Sequence, residues 1–188
     1  MAAADRLLAR TGEVSELSLR AVAREVGVAA TSLYLHFHSL DELMLAVRLR
    51  YLDEFGQALA AAADAAGTAP LDRVRARAHE YVRYGLAHEG RYRATLSSEG
   101  LPTHLVPSVV ATGLQVFEAF RDELVHAAEA EVDASMLAVH VWTALHGIVM
   151  LRMVRYAFPW PGLTDEIDDL IDRLVSVRPG PRPINARK

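Results

Sequence analysis

Cysteine is absent from the 188-residue chain, and this absence excludes several classes of site at once. A disulfide, a thiolate zinc site and a cysteine nucleophile each need at least one thiol. The lack of thiols is compatible with a reducing compartment, and we expect a cytoplasmic protein. The first five residues also lack the basic start of a secretory signal, and no apolar run with a cleavage site follows them.

An excess of positive charge is missing as well. The chain has 20 basic and 24 acidic residues, a net charge of −4 and an isoelectric point near 6.1. Residues 1–52 contain six arginines and six acidic residues. A nucleic-acid contact would therefore have to come from a local patch and not from a generally basic surface.

Motifs of helical metalloenzymes are not evident, although the chain has eight histidines. His36 and His38 are two residues apart, His140 and His146 are six apart, and no His-Glu-x-x-His motif occurs. No Ser/His/Asp set is recognisable either. We expect no enzyme, no catalytic residue, no metal site and no cofactor, and a helical metalloenzyme is one alternative to the function developed below.

Helical periodicity is present along nearly the whole chain, and no run has the alternation of a strand bounded by turn residues. Hydrophobic residues make up 52% of the chain, which is sufficient for a core. The predicted helices are residues 2–11, 19–26, 30–36, 40–66, 70–88, 92–98, 102–128, 133–158 and 164–177. The sequence predicts an all-α protein of about nine helices, with a head in residues 1–40 and a body in residues 41–177. Residues 178–188 have three prolines and only basic charges, so we expect a disordered tail.

Residues 134–151 contain no Asp, Glu, Lys or Arg, and their length is at the lower limit for a membrane-spanning helix. They include His140, His146, Ser135 and Thr143, whose polar groups hydrocarbon would penalise. We expect a helix buried in a helical bundle, and no membrane partner.

Two short helical patterns meet at Gly27, which suits the left-handed residue after a helix. Ser18 is placed to cap the first of them and Ser39 to cap the long helix that follows. Ala23 is small enough to face the partner helix. We expect a small core, made by Val22, Val26, Val28, Leu33 and Phe37. The exposed polar residues of the second pattern favour a helix-turn-helix that presents this helix to the DNA major groove, and a plain helical hairpin is the alternative.

The head resembles the TetR family of bacterial transcriptional regulators. The match runs through Ser18-Leu-Arg-Ala-Val-Ala-Arg-Glu-Val-Gly-Val28, then Leu33-Tyr-Leu-His-Phe37 and then Leu40-Asp-Glu-Leu43. The resemblance implies base contacts and phosphate contacts to a double-stranded DNA operator. The residues implied for base contacts are Thr31, Ser32 and Leu35, and those implied for phosphate contacts are Ser18, Arg20, Tyr34 and His36.

The head departs from the family pattern in three places. Leu40 stands where the family usually has a lysine, Ala29 stands where a serine often caps the recognition helix, and the usual basic arm before the first helix is missing. Because the head is neutral overall, we expect weak non-specific DNA binding and a shallow salt dependence.

The resemblance implies a homodimer in which the last two helices of each subunit form a four-helix bundle. The sequence favours this independently, since the helix over 133–158 is apolar nearly all round until Arg152. Gly147 would allow close helix approach, and the final helix has a matching stripe, made by Ile167, Leu170, Ile171 and Leu174. Paired heads roughly 34–36 Å apart would read a palindrome.

A small-molecule site is expected in the body, where aromatic bulk is combined with a few polar tips. The candidate ligand contacts are His79, Tyr84, Tyr92, Phe117, Phe120, His140, Trp142, His146 and Met150, and each could instead be a core residue. Trp142-Thr-Ala-Leu-His146-Gly147 is similar to a Trp/His-Gly signature found in one branch of the family's C-terminal ligand-binding domains. We predict a repressor that a small apolar or aromatic effector releases from DNA, and a helical interaction or small-molecule-binding module without DNA binding is the second alternative.

Overall fold

The computed structural model describes residues 3, 6–7, 18–96, 101–128 and 133–175. Eight α-helices occur in these residues, and no strand does. The helices are α1 (Leu19–Val26), α2 (Ala30–Tyr34), α3 (Leu40–Ala65), α4 (Pro70–Ala87), α5 (Glu89–Leu96), α6 (Val106–Ala127), α7 (Ala134–Val154) and α8 (Leu163–Val175), with a 3-10 turn at Thr103–Leu105 before α6. The all-α prediction is confirmed. The predicted disordered tail and most of the predicted helix over 2–11 lie outside the described residues.

Local chemistry defines the helix ends in the head. The Ser18 hydroxyl accepts a hydrogen bond from the Ala21 amide at 3.0 Å, and the Ser39 hydroxyl accepts one from the Glu42 amide at 3.1 Å. Gly27 has φ of 78°, and its amide donates to the Ala23 carbonyl at the end of α1. These bonds satisfy backbone groups that a helix end leaves free, so they fix where α1 and α3 begin and where α1 ends.

Three boundaries differ from the prediction by three residues or more. α6 begins at Val106, four residues after the predicted start, because Thr103–Leu105 forms a 3-10 turn. α5 begins at Glu89, three residues before the predicted start, because the break after α4 takes only one residue, His88, with φ of −129°. α7 ends at Val154, four residues before the predicted end, because Arg155 adopts φ of −121° and ψ of 50°. The breaks at His88 and Arg155 involve no glycine or proline at the turning residue, so neither has a strong local signal.

The helices form two hydrophobic clusters. The larger cluster lies in the body, where α4 packs against α3, α6, α7 and α8. The smaller cluster, which we call the head core, joins α1 to the first turns of α3 and includes Ala94 from α5. Its buried residues are Ala3, Leu7, Leu19, Val22, Leu43, Met44, Val47 and Ala94. The helix α3 contributes to both clusters and therefore connects them.

Part of the predicted head core is wrong. Val26 is 51% exposed and Val28 is 43% exposed, whereas Ala23 and Val22 are buried as predicted. Val26 lies in the last turn of α1, where the chain turns away at Gly27, and the apolar face of α3 fills the space instead. Leu33 and Phe37 are partly buried against this core.

The outer surface of α7 is unusually apolar. It is the one helix among the described residues that is long and apolar enough to cross a membrane by length and composition, and a third of the window that passes this test is buried. Met136, Val139, Leu151 and Val154 are exposed on it. A side-chain β-carbon added at Gly147 would meet nothing within 4 Å. By contrast, the exposed positions of α8 include Asp165, Asp169 and Asp172.

Candidate nucleic-acid interface and ligand cavity

The first candidate site is the exposed side of α2 and of the turn after it. Thr31 and Ser32 are exposed, Tyr34 is 49% exposed and Leu35 is 80% exposed. Leu33, on the opposite side of α2, is partly buried against the head core. The short helix is therefore anchored through one residue while its polar and aromatic residues face solvent, as a helix that reads a DNA groove requires.

Ser18 and Arg20 are exposed at the beginning of α1, where free amide groups and the helix dipole favour an anion. One other arginine of the head is already paired, since Nε of Arg6 lies 3.0 Å from Oε1 of Glu25. The arginines that remain on the exposed side of α1 are Arg20 and Arg24. The interface thus has few cations, in agreement with the neutral composition of the head.

The second candidate site is a cavity of about 500 Å³ inside the body, within the range of small-molecule sites. Five helices line it, and most of the lining is apolar. From α3, α4 and α5 the lining residues are Tyr51, Leu52, Phe55, Leu59, Arg77, Tyr81, Tyr92, Thr95 and Leu96. From α6 and α7 they are Val109, Val110, Gly113, Leu114, Val116, Phe117, Phe120, Val139, Trp142 and Leu145.

The polar groups of the cavity wall form two internal networks. Arg77 makes two hydrogen bonds to Glu123, from Nε to Oε2 at 2.7 Å and from Nη2 to Oε1 at 2.9 Å. The Tyr81 and Tyr92 hydroxyls are 3.0 Å apart, and the Tyr92 hydroxyl lies 2.8 Å from Nδ1 of His146. These networks satisfy polar groups that a dry cavity would otherwise leave unpaired.

Burial keeps the tyrosines of the cavity wall, and the histidine beside them, in their neutral forms at neutral pH. It raises the pKa of Tyr81 to about 12 and raises the pKa values of Tyr51 and Tyr92 further still, so all three are neutral phenols at neutral pH. Burial also lowers the pKa of His146, so its imidazole is neutral and Nδ1 accepts the Tyr92 hydroxyl when the proton is on Nε2.

Two family models match the two parts of the chain. Residues 1–47 match the family described as bacterial regulatory proteins, tetR family, and residues 74–177 match the tetracyclin repressor-like C-terminal domain. The second match covers more than half of the chain. The chain belongs to the TetR family.

An uncharacterized HTH-type transcriptional regulator of Mycobacterium tuberculosis is 30% identical over 165 residues, which are 81% of this chain and 65% of that protein, just under two thirds of its length. A Rhodococcus protein of unknown function has a TM-score of 0.77 and 25% identity, and the match covers 90% of this chain and 92% of that one. PfmR, a TetR family transcriptional regulator from Thermus thermophilus, has a TM-score of 0.67 and 20% identity, covering 95% and 94%. The second of these structures supports the fold alone.

In this TetR-family chain, four of the nine predicted ligand contacts line the cavity. They are Tyr92, Phe117, Phe120 and Trp142. The other five have other positions. His79 lies 2.8 Å from Asp168 on α8, Tyr84 stacks on His88 at 4.1 Å between ring centroids, and His140 is exposed on α7. His146 lies behind Tyr92, and Met150 is partly buried against the body core.

Several lining residues were missed at the sequence level. The largest are Tyr51 and Phe55 on α3, with stacked rings 5.8 Å apart, and Tyr81 on α4. The sequence did indicate that Tyr51 and Phe55 face the interior, because both belong to the apolar stripe of the helix predicted over 40–66. Periodicity indicates which residues face the interior, but it does not distinguish a packed interior from a cavity.

Proposed function

We propose that this chain is a DNA-binding transcriptional repressor that binds a palindromic operator as a homodimer and is released by a small apolar effector. The observation that supports DNA binding most strongly is the exposed side of α2, in a head whose sequence matches the family's DNA-binding region. A polar, solvent-facing helix held by a small apolar core has the geometry of a groove-reading element. The proposal divides the chain into a reading head, residues 1–40, and an effector-binding and dimerising body, residues 41–177, in the cytoplasm.

The head residues divide into two groups by the atoms they would contact. Thr31 and Ser32 would meet base edges through their hydroxyl groups, and Leu35 would meet a thymine methyl group. The proposed phosphate contacts come from the exposed residues Ser18, Arg20, Tyr34 and His36. The first group would select the sequence, and the second would fix the register of the head on the duplex.

The dimer would use the exposed apolar face of α7. Met136, Leu151 and Val154 lie exposed on it, and the open space at Gly147 allows a partner helix to approach closely. The proposed stripe on α8 is narrower than the sequence suggested. Ile167 and Ile171 are buried within their own subunit, so Leu170 and Leu174, which are partly buried, are left for a partner.

The effector would act through α5, which touches both the cavity and the head. Tyr92, Thr95 and Leu96 line the cavity, whereas Ala94 is buried in the head core. Arg91 of α5 also bonds Glu54 of α3 at 2.9 Å, so the two helices are coupled by an ion pair. An effector that displaces α5 therefore changes the packing under the head. A coupling of about 1–3 kcal/mol would give a roughly 5- to 150-fold change in DNA affinity.

Selection from a pool of random duplexes, each spanning roughly three helical turns, tests the DNA-binding part. The full chain should enrich an inverted repeat whose half-sites are one helical turn apart. Thr31→Ala should relax the preference at one base pair per half-site, and Tyr34→Phe should weaken binding about equally for all sequences. Thr164→Ala, at an exposed position on α8, is the matched control and should change neither. If no sequence is enriched, the chain is a helical module without DNA binding.

A further inference from the structure

The two ends of α6 are held in the body to different extents. Toward the C-terminal end, Phe120 and Leu124 are buried, and Glu123 receives two hydrogen bonds from Arg77. Toward the N-terminal end, none of residues 106–119 is buried. A helix that packs on a core normally buries one side along its whole length. The first turns of α6 therefore lack the packing that anchors the last ones.

The cavity lies where a core would otherwise support these first turns. The residues of 106–119 that line it are Val109, Val110, Gly113, Leu114, Val116 and Phe117. At Val116 the helix still approaches α3 closely, because a β-carbon added at Gly56 would lie 3.2 Å from Cγ2 of Val116. Before this point, Val110 and Leu114 line the cavity and yet are 60% and 49% exposed. The beginning of α6 thus covers the cavity without being packed against a neighbour.

Two adjacent residues weaken α6 between its covering and its anchored part. Gly113 lies inside the helix, where glycine is less favourable than alanine because its backbone loses more freedom on folding. Packing does not require a glycine here, since an added β-carbon would meet no described atom within 4 Å. The Thr112 hydroxyl donates to the Ser108 carbonyl at 3.1 Å, a type of bond that often bends a helix. A bend at residues 112–113 would separate the unanchored turns from the rest of α6.

We infer that residues 106–112 form a gate to the cavity, hinged at Gly113, and that the effector enters between this segment and α7. The segment contains no charged residue, so its opening breaks no ion pair. Val110 is exposed on the gate, and the cavity-lining residues Val139 and Trp142 are 41% and 39% exposed on α7. The entrance is thus apolar on both sides, which suits an apolar ligand. This inference rests on the proposed effector response and specifies the route of its ligand.

Amide hydrogen exchange of the full chain tests the gate without a ligand. The amides of residues 110–115 should exchange about tenfold or more faster than those of 118–124, because local opening exposes them. Gly113→Ala should slow exchange at 110–115 by about 3- to 5-fold, the difference in helix propensity between the two residues. Gly147→Ala, at a glycine of α7 with equally open space beside it, is the matched control and should leave α6 unchanged. Equal protection along α6 in the wild type would overturn the inference.

Stopped-flow binding of N-phenyl-1-naphthylamine, an uncharged probe whose fluorescence rises in apolar surroundings, tests the route. Gly113→Ala should lower the association and dissociation rates together by about 3- to 5-fold and change the dissociation constant by less than about twofold, because a stiffer hinge hinders passage but leaves the closed cavity as it is. Gly147→Ala should change neither rate. If the probe binds Gly113→Ala at the wild-type rates, the gate is refuted and the effector cavity stands. If it does not bind the wild type, the effector cavity of the proposed function fails, and the gate fails with it.

Discussion

Arg77 on α4 and Glu123 on α6 form a buried ion pair with two hydrogen bonds, of 2.7 and 2.9 Å, across the base of the cavity. Arg77 is almost fully buried, and Glu123 also receives a bond from Arg73 at 3.0 Å. The pair therefore joins two helices of the cavity wall through charges that are largely shielded from water. Removing one partner leaves the other buried and only partly compensated.

We predict that Arg77→Met lowers the free energy of unfolding by about 2–4 kcal/mol, and that the double variant Arg77→Met with Glu123→Leu recovers much of this loss. Urea denaturation measures both. The control is Arg83→Met, since Arg83 is exposed and pairs with Glu80 three residues away, and it should change stability by well under about 1 kcal/mol. A double variant less stable than Arg77→Met would contradict the role given to the pair.

Gly27 should resist substitution because of its backbone and not for lack of space. Its φ is 78°, and a β-carbon added there would meet nothing within 4 Å. We predict that Gly27→Ala lowers the free energy of unfolding by about 1–2 kcal/mol, and that Gly27→Asn costs less because asparagine tolerates this conformation better. Chemical denaturation of the two variants checks the order, and equal stability of Gly27→Ala and wild type would refute it.

The proposed dimer interface predicts a concentration-dependent effect at Gly147. Since no described residue lies within 4 Å of a β-carbon added at Gly147, Gly147→Leu should fold normally but should block the approach of a partner helix. We expect the dissociation constant of the dimer, measured by analytical ultracentrifugation, to rise by tenfold or more. Ala61→Leu, at an exposed position on α3, makes a similar change elsewhere and should leave the dimer intact. If both variants dimerise like wild type, α7 is not the interface.

The partial burial of His146 predicts a dependence of stability on pH. Burial holds the pKa of His146 in the folded chain below the ordinary histidine value of about 6.5, so between these two pKa values the unfolded chain binds more protons. The stability gained from the neutral imidazole is present above about pH 6.5. It decreases as the pH falls through the pKa of His146 in the unfolded chain and then through its lower pKa in the folded chain.

We therefore expect the wild type to lose more of its thermal stability between pH 7.5 and pH 5.5 than His146→Gln, in which an amide oxygen accepts from Tyr92 but does not titrate. Differential scanning calorimetry at the two pH values measures this difference. His126→Gln, at an exposed position on α6, serves as the matched control. Parallel pH profiles for wild type and His146→Gln would show that this histidine is not responsible.

Features set by neighbouring residues could be predicted from the sequence, and features set by distant ones could not. The caps at Ser18 and Ser39 and the corner at Gly27 depend on backbone chemistry within a few residues, and the structure confirms all three. The pairing of His79 with Asp168 joins residues 89 apart, so its sequence neighbourhood gave no indication of it. His79 was therefore interpreted as a ligand contact, whereas the structure places its Nε2 at 2.8 Å from Oδ1 of Asp168.

The same limit applies to Tyr51 and to Val26. Helical spacing correctly indicated that Tyr51 faces the interior, but the cavity beside it exists because side chains from five helices do not fill the space between them. Val26 has the same spacing as buried residues of α1, yet it is exposed because the turn at Gly27 begins immediately after it. Burial at a helix end depends on what packs there, which is a property of the tertiary structure.

The acidic surface of α8 affects how the molecule would meet a polyanion. Residues 53–188 contain 14 basic and 18 acidic residues, a net charge of −4, whereas residues 1–52 are neutral. This difference in charge gives the molecule an electric dipole along its length. A duplex would repel the acidic body but would not repel the neutral head. The dipole would orient each subunit head-first as it diffuses toward DNA, and adding salt would slow productive encounters less than it does for a uniformly cationic binder.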